Sequence, residues 1–288
     1  MSDRPRVSVI IATYGREGVL CDTLSQVLAE PYDSKEIVVV DQTPVHESAT
    51  RNYLESVKSR IRYIQMDHPS VTEAENVGIR AATGDIVLFL DDDVAFQPGL
   101  LEAHARNYED PSISGVAGLV LERGRSETQV LPGICDASDF GYFFFRHDYA
   151  HRARVANIAE GNASMRRQVM LDVGLFDESF RENAYLFGMD LAQRVVKAGG
   201  RIVHDPKAGL LHLRHRSGGV RMKAVRPVSY FRNLFRFLNK HHGRHARFAV
   251  ALRVFFYRVL VENWRRPWVI PANARTFVAA WRAEHAGR

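Results

Sequence analysis

Apolar and polar positions alternate in blocks along the first part of the chain. Val7–Ala12 (VSVIIA) is a continuous apolar run ending in Thr13-Tyr14-Gly15-Arg16, and Val19, Leu20, Leu24, Val27 and Leu28 then recur on one helical face. Glu36–Val40 (EIVVV) predicts a second buried strand, closed by Asp41-Gln42-Thr43-Pro44. A helix is expected from about Glu47 to Lys58, a third strand from Ile61 to Ile64, and a helix from Thr72 to Ala82 with Asn76 and Gly78 inside it. Ile86–Leu90 (IVLFL), between Gly84-Asp85 and three consecutive acids, predicts the central buried strand. Strands alternating with helices predict an α/β fold with a parallel sheet covered on both faces. Right-handed crossovers then bring the loops at Thr13, Asp41 and Asp91 to one edge.

The three acids are the first chemical signal. Asp91, Asp92 and Asp93 follow the central strand, at the end where open α/β sheets bind ligands. Carboxylates packed there repel one another unless a cation or donors compensate them. Hard cations such as Mg²⁺ or Mn²⁺ take oxygen ligands and commonly share them with a substrate's phosphates. In an extended segment residues i and i+2 share a face, so Asp91 and Asp93 converge while Asp92 points away. A solvated acidic turn is the alternative.

Charge is distributed unevenly. The chain of 288 residues has a net charge of +6, yet residues 221–288 carry 15 Lys and Arg against only Glu262 and Glu284, a net +13. Residues 1–220 carry 24 basic and 31 acidic side chains, a net −7. Such asymmetry marks a basic appendage suited to an anionic partner. Two cysteines, Cys21 and Cys135, make neither a disulfide framework nor a metal-ligand spacing. The apolar run before Thr13 is shorter than the ~7 residues of a signal-peptide core, which leads to the expectation of a cytoplasmic protein.

The succession VSVIIATYGR, EIVVVDQT and AENVGIRAATGDIVLFLDDDV resembles the donor-nucleotide half of glycosyltransferase family 2, inverting enzymes of GT-A fold. GNASMRRQVMLDVGLFDESF and then DLAQRVVKAGGRIVHDPKAGLLH resemble that family's acceptor half, in the same order. The resemblance implies a GT-A, Rossmann-like, mostly parallel sheet flanked by helices over 1–220, with a donor half of about 1–115 and an acceptor half of about 116–220. It also implies that Thr13, Tyr14 and Arg16 line the nucleotide pocket, that Asp41 accepts from the base, and that Asn76 stands beside the pocket. Asp91, with Asp92 beside it, would meet the ribose or the metal, and Asp93 would bind the metal of an Asp-x-Asp motif directly. Asn162 and Arg166 would lie near the acceptor and donor sugar.

One part of the pattern is broken. Relatives usually carry a Glu-Asp pair, whose Asp is the general base, just before an Asp-Leu-x-x-Arg segment. Aligning Asp190-Leu191-Ala192-Gln193-Arg194 on that segment puts Phe187 and Gly188 where the pair belongs. Asp190 becomes the candidate base, with Glu182 as second choice; Asp190 has the alternative of capping a helix or pairing with Arg194 at i+4. Gly199-Gly200 marks a helix end and Arg201–Val203 a short strand. By its distance from Pro206, His212 matches the His that often completes the family's metal site, with His215 as a substitute; imidazole suits Mn²⁺. Arg214, Arg216 and the Ser217-Gly218-Gly219 turn supply cations and backbone N–H groups for a diphosphate.

Two stretches stand apart. The aromatic cluster Phe140, Tyr142, Phe143, Phe144 and Phe145 is either an acceptor platform or a core seam. Beyond residue 220, Phe231, Leu234, Phe235 and Leu238 define one amphipathic helix, and Phe248, Leu252, Phe255, Phe256, Val259 and Leu260 a second. Neither is long enough to span a bilayer. Basic amphipathic helices with Trp264, Trp268 and Trp281 suit an anionic membrane interface, which would fit a lipid-linked acceptor of polysaccharide biosynthesis. Packing on the catalytic domain, or on a second copy in a homodimer, is the other reading. The expected activity is metal-dependent transfer of a sugar from a nucleotide-diphosphate donor to a hydroxyl of a glycan or lipid-linked glycan. Competing readings are a non-catalytic membrane-associated protein of the same fold and a sugar-1-phosphate nucleotidyltransferase. No nucleic-acid motif accompanies the basic tail, so no nucleic-acid partner is expected.

Overall fold

The computed structural model describes residues 4–124, 126–127, 146–215, 217–219 and 227–285. Two compact units emerge, one made of Met1–Asp177 with Gly188–Gly219, the other of Glu178–Phe187 with Val220–Arg288. The aromatic cluster at 140–145 and Arg216 lie outside the described residues.

The first unit opens with β1 (Val7–Thr13), α1 (Gly18–Ala29), β2 (Lys35–Asp41), α2 (Ser48–Val57), β3 (Arg62–Gln65), α3 (Val71–Ala81) and β4 (Ile86–Leu90). These elements match the predicted ones to within a residue or two. β5 (Val94–Ala95), α4 (Leu100–Ala105), β6 (Ile113–Glu122), β7 (Ala153–Val155), β8 (Asn162–Arg166), α5 (Arg167–Asp172), α6 (Phe187–Lys197) and β9 (Arg201–His212) follow. The sheet runs β3-β2-β1-β4-β8-β6-β9-β5, with β7 on β9. β3, β2, β1 and β4 are mutually parallel, as are β6 and β9, while β8 pairs antiparallel with both β4 and β6.

Burial explains the apolar runs. Every residue of β4 is buried, as are Val7, Val9, Ile10 and Ile11 of β1. Val9, Ile11, Leu88 and Val116 pack with Leu20 and Leu24 of α1 in one core. Facing the other way, Ile10 lies so close to α3 that a Cβ on Gly78 would come 2.5 Å from the Ile10 Cγ2, which accounts for a glycine inside that helix. β3 is a largely exposed edge strand.

The short strand expected at Arg201–Val203 is a correction. β9 continues to His212 by absorbing Pro206 in a bulge, so that its pairing with β6 steps from Asp205 opposite Gly118 to Gly209 opposite Leu119. Proline cannot donate to the ladder, and a bulge is where a strand tolerates it. The continuation sets His212 opposite Val94 of β5, directly after the three acids.

In the second unit, α7 (Val228–His241), α8 (Arg244–Val254) and α9 (Ile270–His285) form the framework. The apolar face of α7 is buried, with Phe235 edge-on to Phe277 at 5.0 Å and to Trp281 at 5.1 Å. Arg232 and Arg236 both pair with Glu284, at 3.5 and 3.1 Å, so two cations of α7 are bound within the unit. Phe248, Leu252, Phe256, Trp264 and Trp268 are well exposed. Among the described residues no helix is long and apolar enough to cross a membrane.

Candidate active site

The carboxyl end of β4 carries the site. Asp93 directs its two oxygens to different partners: Oδ1 faces His212 Nε2 at 3.1 Å, while Oδ2 accepts from Arg16 Nη2 at 3.0 Å and from the backbone N–H of His215 at 2.8 Å. Asp91 Oδ2 lies 3.7 Å from the same imidazole nitrogen. Asp91, Asp93 and His212 offer one ligand atom each, all within 4.8 Å of one another, the one such cluster among the described residues. Two carboxylate oxygens and an imidazole nitrogen are a donor set suited to Mn²⁺ or Mg²⁺.

Asp92 turns the other way, as the period of two requires. It accepts from Thr13 Oγ1 at 2.7 Å and Arg16 Nε at 3.1 Å, and Thr23 holds its backbone carbonyl at 3.1 Å. Arg16, almost fully buried, therefore bridges neighbouring acids. Its Nη1 also donates to the carbonyls of His215 and Ser217, tying the segment after β9 to the loop after β1. Gly219 N–H donates to the Tyr14 carbonyl at 2.9 Å, and left-handed Gly218 lies where a Cβ would meet the Gly15 carbonyl at 2.2 Å.

Electrostatics separate Asp92 from Asp93. Burial pushes Asp92 up to about 7 against the pull of Arg16 and Thr13. Burial also works to raise Asp93, but the hydrogen bonds from His212 and the His215 N–H, together with Arg16, hold it below the usual range. The Asp93 hydrogen bond raises His212 more than burial lowers it.

Other residues singled out in the sequence are brought to varied places. Tyr14 is exposed at the rim. Asp41 is fully buried, accepting from the Thr43 N–H at 2.7 Å and Tyr63 Oη at 3.0 Å and meeting His46 Nε2 at 2.6 Å. Asn76 clamps both backbone groups of Phe176, at 2.9 and 3.0 Å. Asn162 donates to the Leu119 and Ala208 carbonyls inside the sheet, and Arg166 donates to the Ile113 and Tyr108 carbonyls. Arg214 pairs with Glu122. Asp190 is buried with its Oδ2 2.9 Å from Arg194 Nε, and Arg194 also donates to the carbonyls of Val173 and Leu175. Glu182 belongs to the second unit, where Ser229 Oγ donates to it.

Two carboxylates that the sequence reading passed over stand close to Asp91. Glu75, in α3, is buried with Oε2 lacking a hydrogen-bond partner, and burial with the charges of Asp91 and Glu160 raises it well above the carboxylate range. Glu160, just before β8, is pushed by burial to about 7, although the Gly188 N–H donates to it. The signal available was weak: Glu160 follows the apolar pair Ile158-Ala159, while Glu75 sits between Ala74 and Asn76 with nothing local to mark it.

Comparison with known proteins then identifies the lineage. The model of the family described as "Glycosyl transferase family 2" matches residues 8–174. The chain belongs to glycosyl transferase family 2. Among curated relatives, a glucosyl-dolichyl phosphate glucuronosyltransferase of Haloferax volcanii is 28% identical over 184 residues, covering 60% of this chain and 56% of that protein. The putative glycosyltransferase EpsE of Bacillus subtilis is 27% identical over 199 residues, covering 63% of this chain and 70% of that one. The chain thus spans about half the length of the Haloferax relative. Among solved structures, the mannosyltransferase PcManGT from Pyrobaculum calidifontis, in complex with GDP-Man and Mn²⁺, matches with a TM-score of 0.60 at 20% identity, over 98% of this chain and 76% of that one. GalNAc-T7 with UDP, GalNAc and Mn²⁺ matches with a TM-score of 0.67 at 14% identity, over 99% of this chain and 57% of that one. The fold of this family 2 chain is GT-A.

Proposed function

We propose that this protein is a metal-dependent, inverting glycosyltransferase that moves a sugar from a nucleotide-diphosphate donor to a hydroxyl of a glycan or lipid-linked glycan. The observation that carries the reading is the convergence of Asp91, Asp93 and His212 at the carboxyl end of β4. These three residues would hold Mg²⁺ or Mn²⁺, which supplies Lewis-acid stabilisation of the departing diphosphate. Arg16 fixes Asp93 by the oxygen that His212 does not face, so the remaining oxygen keeps its aim. Thr13 and Tyr14 border the nucleotide pocket, and Asp41, oriented by His46 and Tyr63, closes its base end.

Support for a divalent ion and a nucleotide sugar comes from the solved GT-A neighbours, whose complexes contain Mn²⁺ with GDP-Man or UDP. Support for a lipid-linked acceptor comes from the Haloferax relative, a glucosyl-dolichyl phosphate glucuronosyltransferase, and from the exposed aromatic side chains of the second unit. That surface would rest on an anionic cytoplasmic leaflet, the net charge of +13 over residues 221–288 drawing the chain there.

The test is calorimetric titration with UDP, GDP and dTDP, each with and without Mn²⁺, on the wild type and on Asp93→Ala. Tight binding of one diphosphate that requires both the metal and Asp93 is the expected result. Absence of binding by all three would overturn the reading.

A further inference from the structure

In-line transfer needs a proton acceptor. As the acceptor oxygen bonds to the anomeric carbon, the bond from that carbon to the phosphate oxygen breaks, its electron pair leaves on the diphosphate, and the hydroxyl proton must pass to a nearby base. A carboxylate fills that role when it is near the donor site, open to solvent, and not already neutralised by a cation.

Most acids near β4 fail one of these conditions. Asp92 is bound by Arg16 and Thr13, and Asp93 by Arg16, His212 and the His215 N–H. Asp190 is buried in an ion pair whose arginine also grips two backbone carbonyls, which makes it an anchor of α6. Glu75 is closed off from solvent.

Glu160 meets all of them. The antiparallel register of β4 and β8 pairs Leu90 with Asn162, and the next pair is Asp91 with Gly161, joined by an N–H to carbonyl bond of 3.3 Å. Glu160 therefore precedes, by one residue, the backbone that faces the metal-site carboxylate. It remains partly exposed, and its donors are neutral backbone N–H groups, its own and that of Gly188. Two glycines make the room for this pair of acids. A Cβ on Gly161 would lie 2.1 Å from Asp91 Oδ2, and a Cβ on Gly188 would lie 1.8 Å from Glu160 Oε1. Neither glycine has a left-handed backbone, so space, not conformation, is what each provides.

We infer that Glu160 is the general base of the transfer, its carboxylate seated over the side-chain-free Gly188 at the start of α6. The inference rests on the transferase reading and adds the residue that takes the proton. Among the acids of the first unit it selects one on the β8 side of the site, while the α6 position beside it is left bare to admit it.

The experiment uses the full chain with Mn²⁺ and the sugars of whichever nucleotide the calorimetry selects, drawn from UDP-glucose, UDP-glucuronate, GDP-mannose, GDP-glucose and dTDP-glucose, with water as the acceptor hydroxyl and release of the nucleoside diphosphate as readout. Glu160→Gln and Glu160→Ala are expected to bind the nucleotide within about threefold of wild type and to lose turnover by roughly 100-fold or more. Added sodium formate should restore part of the turnover of Glu160→Ala, and the double variant Glu160→Ala/Gly188→Asp should recover at least tenfold, because a carboxylate then grows from the opposite wall into the vacated space. A merely structural glutamate would respond to neither rescue. Glu160→Gln retaining more than a tenth of wild-type turnover would overturn the assignment with the transferase reading intact. Failure of the wild type to bind any nucleotide would overturn both.

Discussion

Arg16 and Asp93 lie 77 residues apart in the chain, yet Arg16 Nη2 sits 3.0 Å from Asp93 Oδ2, opposite the oxygen that faces His212. One guanidinium also reaches Asp92 and two carbonyls of the segment after β9, a planar fork that an ammonium cannot reproduce. A lysine keeps the charge but cannot reach both acids and both carbonyls at once, and each hydrogen bond to a charged group that is lost costs about 1.5–3 kcal/mol. Arg16→Lys is therefore expected to lower the thermal midpoint and to weaken Mn²⁺-dependent nucleotide binding by about 10–100-fold, as loss of an orienting partner does at metal sites. Differential scanning calorimetry and titration calorimetry on the same preparation check both effects.

His212 gives a second test. As a donor to a divalent ion it should be replaceable by asparagine more readily than by alanine, because only asparagine keeps a ligand atom. Titration of Mn²⁺ into each variant, followed by the paramagnetic relaxation of water, should rank wild type above His212→Asn and His212→Ala lowest. Equal affinity in all three would remove His212 from the metal site.

What the sequence made legible is what local pattern encodes. Ile86–Leu90 is buried on both faces and reads as a strand whatever surrounds it, and the acids that follow fall at the ligand-binding edge by the rule of parallel sheets. The period of two likewise separated Asp92 from Asp91 and Asp93. Glu160 was illegible because its position depends on the β4–β8 register and on space above Gly188, neither of which has a local signature. The length of β9 was hidden for a related reason. Pro206 looks like a strand end until the bulge that accommodates it is paired with β6.

His104 ties stability to pH. It is fully buried between Ser164 Oγ at 2.9 Å and Asn162 Oδ1 at 3.0 Å, and burial lowers its pKa to about 4. Between that value and the ~6.5 of an unfolded histidine, the unfolded chain binds the extra proton, so stability falls as pH drops through this window, by about 1.4 kcal/mol per unit. His104→Gln should be less stable than wild type at pH 7.5 and should show a shallower decline toward pH 5. Urea unfolding at the two pH values measures the difference, and parallel declines would exclude His104 as its source.

The second unit carries the remaining prediction. The apolar face of α7 is occupied by α9, so α7 itself has no face left for a bilayer. The exposed aromatic side chains lie further on: Phe256, Trp264 and Trp268 are 59, 67 and 73% exposed, and the Arg265 guanidinium stacks 4.9 Å over the Trp264 ring. Aromatic rings beside arginines partition to the headgroup layer, and each cation near an anionic surface adds about 1 kcal/mol. The protein should therefore float with vesicles containing phosphatidylserine, float less as salt is raised, and stay behind with purely zwitterionic vesicles. Trp264→Ser/Trp268→Ser should reduce flotation at least tenfold while leaving nucleotide binding unchanged. If flotation is indifferent to these tryptophans, the exposed ridge has another occupant, and analytical ultracentrifugation of the same variant would show whether that occupant is a second copy of the chain.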